Sequence, residues 1–223
     1  AQQILLDHLA ADFVENGWSF RYLHRLIVTS KTYRLSSHST GPDAKNKAND
    51  PNNRFYWRMN VQRMDAQVVR DSLLHLAGAL DLTLGGPSLN PADAVSRRSI
   101  YFKHSRDQQD KFLKTFNDAD HLQCYRRSES IVPQQALALS NGKVPIEMAA
   151  KIAGLINGED FVGMAFELLL GRRPDVAERR ECEMTWADLE AAATKAKQPN
   201  PIERARRGLV HALLNHNDFV SIR

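Results

Sequence analysis

The sequence predicts a mainly α-helical protein, an irregular multi-helix bundle with long loops and at most a minor β element. Apolar residues recur at steps of three and four along most of the chain, and this spacing places them on one face of a helix. Segments rich in glycine, proline and asparagine separate these stretches and are typical of loops. The stretch RRSIYFK at residues 97–103 has the alternation of a β-strand, so only a little sheet is expected.

The first two helices are expected to form a hairpin. The segment Gln3–Asn16 has apolar residues on one helical face, and Gly17 after it is a typical helix stop. Ser19 can cap the second helix, and Trp18 is expected to close the hydrophobic corner between the two. The stretch Ser36–Asn53 lacks periodic apolar residues and is predicted to be a long loop.

An aromatic segment, RFYWRMN at residues 54–60, comes next. Two interpretations of Phe55, Tyr56 and Trp57 are open: a stacking platform for sugars or nucleic acids, or packing beneath the long loop. We favour packing, because aromatic residues beside a core helix usually fill the core. Trp57 is retained as a candidate ligand-binding residue.

The most regular helix is predicted at Asp65–Asp81, with Asp65 as its N-cap and Gly85 and Gly86 beyond its end. Its apolar stripe consists of Val69, Leu73, Leu76 and Leu80. The following loop lacks the Gly-Lys-Ser/Thr ending of a phosphate-binding loop, so no nucleotide site is expected.

The second half of the chain is predicted to be a small helical bundle. The expected helix starts, all residue types favoured there, are Pro133, Pro145, Asp160, Asp175 and Pro201. Glu178 follows Asp175 by three residues and completes a capping-box pattern, and Gly171 is expected to end the helix before it. The last helix is predicted to end at Leu214, with Phe219 buried after it.

Composition is that of an ordinary globular protein, with 223 residues of which 43% are hydrophobic. Neither a membrane span nor a targeting signal is expected in this segment, because it has no long apolar run and AQQILLDHL lacks signal-peptide features. The net charge of +4 comes from 30 basic and 26 acidic residues spread along the chain, so nucleic acid is not an expected partner. Cys124 and Cys182 lie outside any C-x-x-C-H motif, so covalently bound c-type haem is not expected. No cofactor is assigned to this chain, and a disulfide between the two cysteines stays open.

Reactive residue types concentrate in FNDADHLQCYRRSES, residues 116–130. Asp118 and Asp120 are the candidate catalytic residues, because glycosidases use a pair of carboxylates across a sugar bond. Their spacing is equally typical of an Asx-turn or a helix cap. The candidate metal ligands are His104, His121 and Cys124. They lack a second closely spaced ligand pair, so we favour the absence of a metal site.

Arginines form a second set of candidates, because their side chains bind carboxylates in a bidentate manner. The set consists of Arg63, Arg70, Arg126 and Arg127, with Asp65 and Asp71 as acidic neighbours. One interpretation is a cleft for an anion or an acidic carbohydrate between the central helix and the CYRR segment. The other, which we favour, is a buried network of arginines and carboxylates that joins the two halves.

The block RMNVQRMDAQVVRDSLLHLAGALDLTLGG, residues 58–86, resembles the signature of a planctomycete domain family of unknown function. Four more blocks agree in order and spacing: LLDHLAADFVENGWSFRYLHRLIVTSKTYRLSS, RRSIYF, KTFNDAD with CYRRSESIVPQQALALSN, and LVHALLNHNDFV. The resemblance therefore covers nearly the whole chain. It departs at His8, where the family usually has tryptophan, and the arginine-rich block that normally precedes LLD is missing.

This resemblance implies a domain near the C-terminus of large secreted or surface proteins that often carry cytochrome-c-type modules. It implies an extracytoplasmic location, periplasmic or at the cell surface, with neighbouring modules of the same polypeptide as partners and haem only on separate modules. The chain is then a fragment of a larger protein, one helical domain over residues 1–223 with sub-halves of about 1–130 and 131–223.

The predicted function is that of a noncatalytic structural or interaction module of a larger extracytoplasmic multidomain protein. The alternative is an enzyme or binding domain that acts on polysaccharide through a polar cleft around residues 116–130. The two differ in whether the polar groups of that segment converge on a cleft or disperse over the surface.

Overall fold

The computed structural model describes residues 2–37, 44–93, 96–120, 122, 130 and 132–222. These residues are mainly helical, which confirms the predicted fold class. Their α-helices are α1 (Gln2–Glu15), α2 (Phe20–Thr29), α3 (Ala44–Asn49), α4 (Ala66–Leu76), α5 (Lys111–Thr115), α6 (Pro133–Asn141), α7 (Lys143–Leu155), α8 (Phe161–Leu170), α9 (Val176–Lys195) and α10 (Pro201–Leu214). Two short strands, β1 (Gln62–Arg63) and β2 (Ser221–Ile222), pair as a small sheet.

The chain divides into two compact units, with the boundary between Gln62 and Arg63. The first unit holds α1–α3 and the second holds α4–α10. Within the described ranges, no helix has both the length and the apolar character needed to cross a bilayer.

Helices α1 and α2 form the predicted hairpin of the first unit. Gly17 and Trp18 have positive φ angles of 69° and 59°, which turn the chain between the helices. The Ser19 side chain caps α2 by accepting a hydrogen bond from the Tyr22 amide at 3.2 Å. Trp18 packs edge-on against Phe13, with 5.5 Å between ring centroids, yet 66% of its surface is exposed. The predicted corner contact is present, although it does not shield Trp18 from water.

The hairpin leaves many apolar side chains in solvent. Among the described side chains of α1 and α2, none is buried. Eight apolar side chains of the two helices are exposed over more than a third of their surface, and we call them together the hairpin face: Ile4, Leu5, Leu6, Val14, Phe20, Leu26, Ile27 and Val28. A globular protein normally buries such a surface against another element.

The predicted loop Ser36–Asn53 contains the short helix α3 within its described part, so that prediction is wrong there. The α3 sequence, AKNKAN, is rich in alanine and lysine, which favour helix without apolar periodicity. A helix without an apolar stripe is missed by a search for periodic apolar residues.

Asp50, directly after α3, holds the aromatic segment of the first unit. Its carboxylate accepts hydrogen bonds from the amides of Arg54 at 2.9 Å and Phe55 at 2.8 Å. Its carbonyl oxygen accepts one from the Trp57 indole at 2.9 Å. Trp57 is partly buried, whereas Phe55 and Tyr56 are exposed, so the predicted packing beneath the loop is wrong for those two.

In the second unit, α10 contacts α6, α7, α8 and α9. Its buried residues are Ala205, Leu209, Val210, Leu213 and Leu214. Phe161 of α8 and Trp186 of α9 pack edge to face beside it, with 5.1 Å between ring centroids. These side chains belong to a core that also includes the buried faces of α4 and α7.

Helix α4 ends at Leu76, five residues before the predicted end at Asp81. Gly78 has a φ of 63°, and the amide of Ala79 donates to the Leu74 carbonyl oxygen at 2.8 Å. This is the left-handed termination that glycine favours. The predicted stripe is confirmed in its first half, since Val69 and Leu73 are fully buried, while Leu76 and Leu80 are partly buried against the core.

The strand predicted at residues 97–103 is absent, because Ser99–Tyr101 is a 3₁₀ helix. Asp71 of α4 accepts hydrogen bonds from the Ser99 amide at 2.9 Å and from the Ser99 hydroxyl at 2.6 Å. These bonds use the amide that a strand would need for pairing. Only isolated bridges remain on either side, of Arg97 with Asp81 and of Phe102 with Leu89.

The predicted helix starts of the second half are confirmed, except that α7 begins at Lys143, two residues before Pro145. The Asp160 carboxylate caps α8 by accepting from the Gly163 amide at 3.0 Å. The capping box at the start of α9 is complete. Phe219 is buried, as predicted.

Arg172, in the turn between α8 and α9, clamps two carboxylates. Its Nη2 donates to Glu178 Oε1 at 2.6 Å and its Nε donates to Asp218 Oδ2 at 2.9 Å. The side chain of Asp218 is 2% exposed, so this arginine compensates a buried charge. The hydrogen bond from Arg172 is the main cause that lowers the pKa of Glu178 from its ordinary 4.5 to about 2.

Replacing Leu73 by alanine should lower the free energy of unfolding by about 2–5 kcal/mol, because it leaves a cavity in the core. Leu137→Ala is the matched control, since Leu137 is also helical but 57% exposed. Denaturant unfolding measures both. Equal midpoints for the two variants would show that α4 is not a core helix.

The Arg172 clamp should make stability depend on acid pH. Because the pKa of Glu178 is lower in the folded chain, its contribution is present above about pH 4.5 and is lost as the pH falls toward 2. Between pH 5 and pH 2 the Glu178→Gln variant should therefore lose about 1–3 kcal/mol less than the parent protein.

Glutamine keeps the capping-box side chain, so the comparison isolates the charge. Glu181→Gln, at an exposed position of the same helix, should follow the parent protein. Identical acid unfolding of the parent and Glu178→Gln proteins would contradict the clamp.

Candidate functional site

A cavity of about 600 Å³ lies beside α4 in the second unit, and we call it the α4 cavity. Its polar described lining includes Asp65, Asp71, His75, Arg98, His104 and Asp118. Its apolar lining includes Val68, Leu80, Leu82, Ile100, Phe102 and Leu113. A concave site with apolar walls and a few polar groups is the usual form of a ligand site.

Helix α4 forms one wall of the α4 cavity, because one of its faces is polar and the other is apolar. Gln67, Asp71 and His75 follow one another at steps of four and all line the cavity. Val69 and Leu73, on the other face, are buried in the core. Burial of the apolar stripe thus orients the polar side chains toward the cavity.

A buried arginine holds the opposite wall in place. Arg70 is 5% exposed, and its Nη1 donates to the Arg97 carbonyl oxygen at 3.0 Å and to the Ser99 hydroxyl at 3.2 Å. Its guanidinium group stacks 4.5 Å from the centre of the Phe102 ring and lies 3.4 Å from Asp71. Burial lowers the pKa of Arg70, an effect that the nearby charge of Asp71 opposes. These contacts bury Arg70 among residues 71–102, whereas the predicted network that joins the two halves stays a prediction, because Arg126 and Arg127 lie outside the described residues.

His104 and Asp118 form a pair at the cavity, with 3.4 Å between His104 Nδ1 and Asp118 Oδ2. The other carboxylate oxygen of Asp118 accepts hydrogen bonds from the Gln67 side chain and the Ala119 amide. A carboxylate beside Nδ1 orients an imidazole, which is the arrangement of a general base. Among the described residues, no serine or cysteine side chain hydrogen-bonds to His104, so no nucleophile completes the pair there.

Asp120, the second candidate catalytic residue, accepts a hydrogen bond from the Leu122 amide at 2.7 Å. Asp118 likewise accepts one from the amide that follows it. The bond to Asp120 is that of an Asx-turn, whereas the bond to Asp118 comes from the adjacent amide.

The remaining candidates make internal contacts. Arg63 donates to the side chain of Gln135 at 2.7 Å, and Gln135 donates to the Thr115 carbonyl oxygen at 3.1 Å. In the first unit, Trp57 stacks against Arg58, with 5.2 Å between the guanidinium carbon and the ring centre. The candidates outside the described residues are Arg126, Arg127, His121 and Cys124.

A search of the described residues for three or more side chains able to hold one metal ion finds no such group. Cys182 is partly buried, and burial raises the pKa of its thiol. The question of a Cys124–Cys182 disulfide stays open, because Cys124 lies outside the described ranges.

Sequence reasoning missed three of these partners: Gln67, Gln135 and Ser99. The spacing of four that links Gln67 to Asp71 and His75 is a signal in the sequence for the cavity wall. No local pattern marks Gln135, because its partner Arg63 is 72 residues away.

The fold and the site define a mainly helical domain with a polar cavity beside α4. A family model described as "PSD1: Protein of unknown function (DUF1553)" matches residues 1–186. The chain therefore belongs to this family of proteins of unknown function, which confirms that part of the expected resemblance. The planctomycete origin and the place within larger proteins stay predictions. No curated protein and no solved structure matches the chain.

Proposed function

We propose that the chain is a noncatalytic interaction module of a larger extracytoplasmic multidomain protein. Its contact surface in this proposal is the hairpin face, and its partner is a neighbouring module of the same polypeptide. The observation that carries the proposal is the exposure of large apolar side chains on both helices, such as Leu6 at 62% and Phe20 at 66%. Exposed apolar patches of this kind mark interaction sites.

The marginal stability expected for the two hairpin helices on their own supports this assignment. Helices of 14 and 10 residues are marginal on their own in water. Burying one leucine, isoleucine or phenylalanine contributes about 1.5–3 kcal/mol. A partner that covers the hairpin face would therefore stabilise both helices substantially.

The state of the candidate catalytic groups also supports a noncatalytic role. Asp118 and Asp120 both accept hydrogen bonds from local amides, and Arg70 is buried in an internal network. These hydrogen bonds give the three side chains structural roles, as a noncatalytic module requires.

The extracytoplasmic setting rests on the family resemblance. Proteins that this chain resembles often carry cytochrome-c-type modules, so we assign any haem to those modules and propose them as neighbours. The chain itself would then need no cofactor.

Hydrogen exchange tests the proposed contact. In the full-length polypeptide, amides of α1 and α2 should exchange at least about tenfold more slowly than in this chain alone, because tertiary contacts suppress local opening. The amides of α10 serve as the internal control, since its apolar face is already buried. Unchanged exchange in α1 and α2 would refute the contact.

A polysaccharide-active enzyme is the second candidate function, and the His104–Asp118 pair favours it. The pair lies on a cavity of about 600 Å³, and a carboxylate-oriented imidazole can accept a proton from a sugar hydroxyl or from water.

Assays for the release of reducing ends from polysaccharides test this candidate. We expect no turnover by the parent protein. Turnover that His104→Gln and Asp118→Asn each reduce by about 100-fold or more would establish an enzyme. His24→Gln is the control, because His24 lies in the first unit, on an exposed part of α2. Equal loss in the control would assign the effect to unfolding, and unchanged turnover in all three variants would assign the turnover to a contaminating enzyme.

A further inference from the structure

Three arginines of α10 line a groove at the surface of the second unit. Two hollows of about 540 Å³ and 340 Å³ share Arg204 and Arg207, and the larger one is also lined by Arg206. We call the two hollows together the arginine groove. It is distinct from the α4 cavity, since the two have no lining residue in common.

Unlike Arg172 and Arg179, the three groove arginines form no ion pair with an acidic side chain among the described residues. Arg172 and Arg179 form short ion pairs with carboxylates, at 2.6 Å to Glu178 and 2.7 Å to Asp160. Across the described ranges of the chain, none of the three groove arginines forms an ion pair. The groove therefore presents three guanidinium groups that have no carboxylate within ion-pair distance in those ranges, with Glu203 as an acidic residue of the same hollow.

Arg206 stacks beside two aromatic rings at the larger hollow. Its guanidinium carbon lies 4.9 Å from the centre of the Phe161 ring and 5.7 Å from that of Trp186. Its buried Nε–H finds no acceptor among the described residues. A buried donor without an acceptor destabilises a fold, and Arg206 lines the larger hollow, where its guanidinium charge faces any bound anion.

The position of the arginines on the helix also favours an anion. Arg204 and Arg207 are three residues apart, a spacing at which like charges repel on a helix. Arg204 is close to the positive N-terminal end of α10, which disfavours a further positive charge. Glu203, an acidic residue of the larger hollow, accepts a hydrogen bond from the Asn200 side chain at 2.9 Å.

The other groove residues suit a hydroxylated ligand. Asn157 and Asn200 line the larger hollow, and Gln198 and His211 line the smaller one. Amide side chains both donate to and accept from hydroxyl groups. Ile146, also in the smaller hollow, is an apolar surface for the C–H face of a sugar ring.

We propose that the arginine groove binds an acidic oligosaccharide. Carboxylates of successive uronate units pair with Arg204, Arg206 and Arg207, while the amide side chains bind the hydroxyls. The inference rests on the proposed role as an interaction module and names a second, carbohydrate partner for it. The surface is separate from the hairpin face, so either assignment can fail alone.

Titration calorimetry with a galacturonic acid tetramer tests the groove. We expect saturable binding that weakens as salt rises, because the contacts are charge pairs at the surface. Arg207→Gln should weaken binding at least tenfold, and Arg206→Gln should do the same. Arg180→Gln is the matched control, since it removes one exposed arginine charge of the same unit away from the groove.

Arg206→Gln also removes the stacking on Phe161 and Trp186, so circular dichroism checks its fold. If that variant unfolds, the binding measured for Arg207→Gln is the test of the groove, because Arg207 is exposed. No binding of the uronate tetramer, equal binding of uncharged maltotetraose, or equal weakening by Arg180→Gln would each overturn the proposal. Binding of tetraglutamate or inorganic phosphate as tightly as the uronate would overturn the carbohydrate assignment.

Discussion

Burial of the apolar stripe of α10 is the interaction on which the second unit depends. Leu209, Val210, Leu213 and Leu214 are almost fully buried, and the helix contacts α6, α7, α8 and α9. Because a helix has one continuous surface, fixing this stripe inside also determines which residues face solvent. The arginine groove on the same helix follows from that rotation. A change that rotated α10 by a quarter turn about its axis would disrupt both the core and the arginine groove.

The same constraint produces the α4 cavity, where Val69 and Leu73 are buried and Gln67, Asp71 and His75 line the cavity. A second interaction completes it, because Asp71 binds Ser99 and so fixes the opposite wall. The wall is therefore positioned by a carboxylate that a buried guanidinium group also contacts. In this part of the described chain, hydrogen bonds from polar side chains fix the backbone in place of the hydrogen bonds of a sheet.

Much of the fold could be predicted from local patterns. The caps at Ser19, Asp160 and Asp175 form within a few residues, so their hydrogen bonds depend on sequence neighbours alone. The errors have equally physical causes. Helix α3 has no apolar stripe to reveal it, and the predicted strand at residues 97–103 is turned by Asp71, which is 28 residues from Ser99. Local alternation has no information about such a distant acceptor.

The candidate site shows what sequence and tertiary structure each decided. The sequence by itself determined most of the helix starts in the second half, the apolar stripes and the residue types present, because caps and periodicity act locally. Only the tertiary structure brought His104 next to Asp118 and Arg63 into a hydrogen bond with Gln135. It also left Arg204, Arg206 and Arg207 without an acidic partner among the described residues. The physical reason is distance along the chain. Partners that lie many residues apart in the sequence come into contact only when the cores around α4 and α10 have packed. No local spacing in the sequence shows which side chains will then be neighbours.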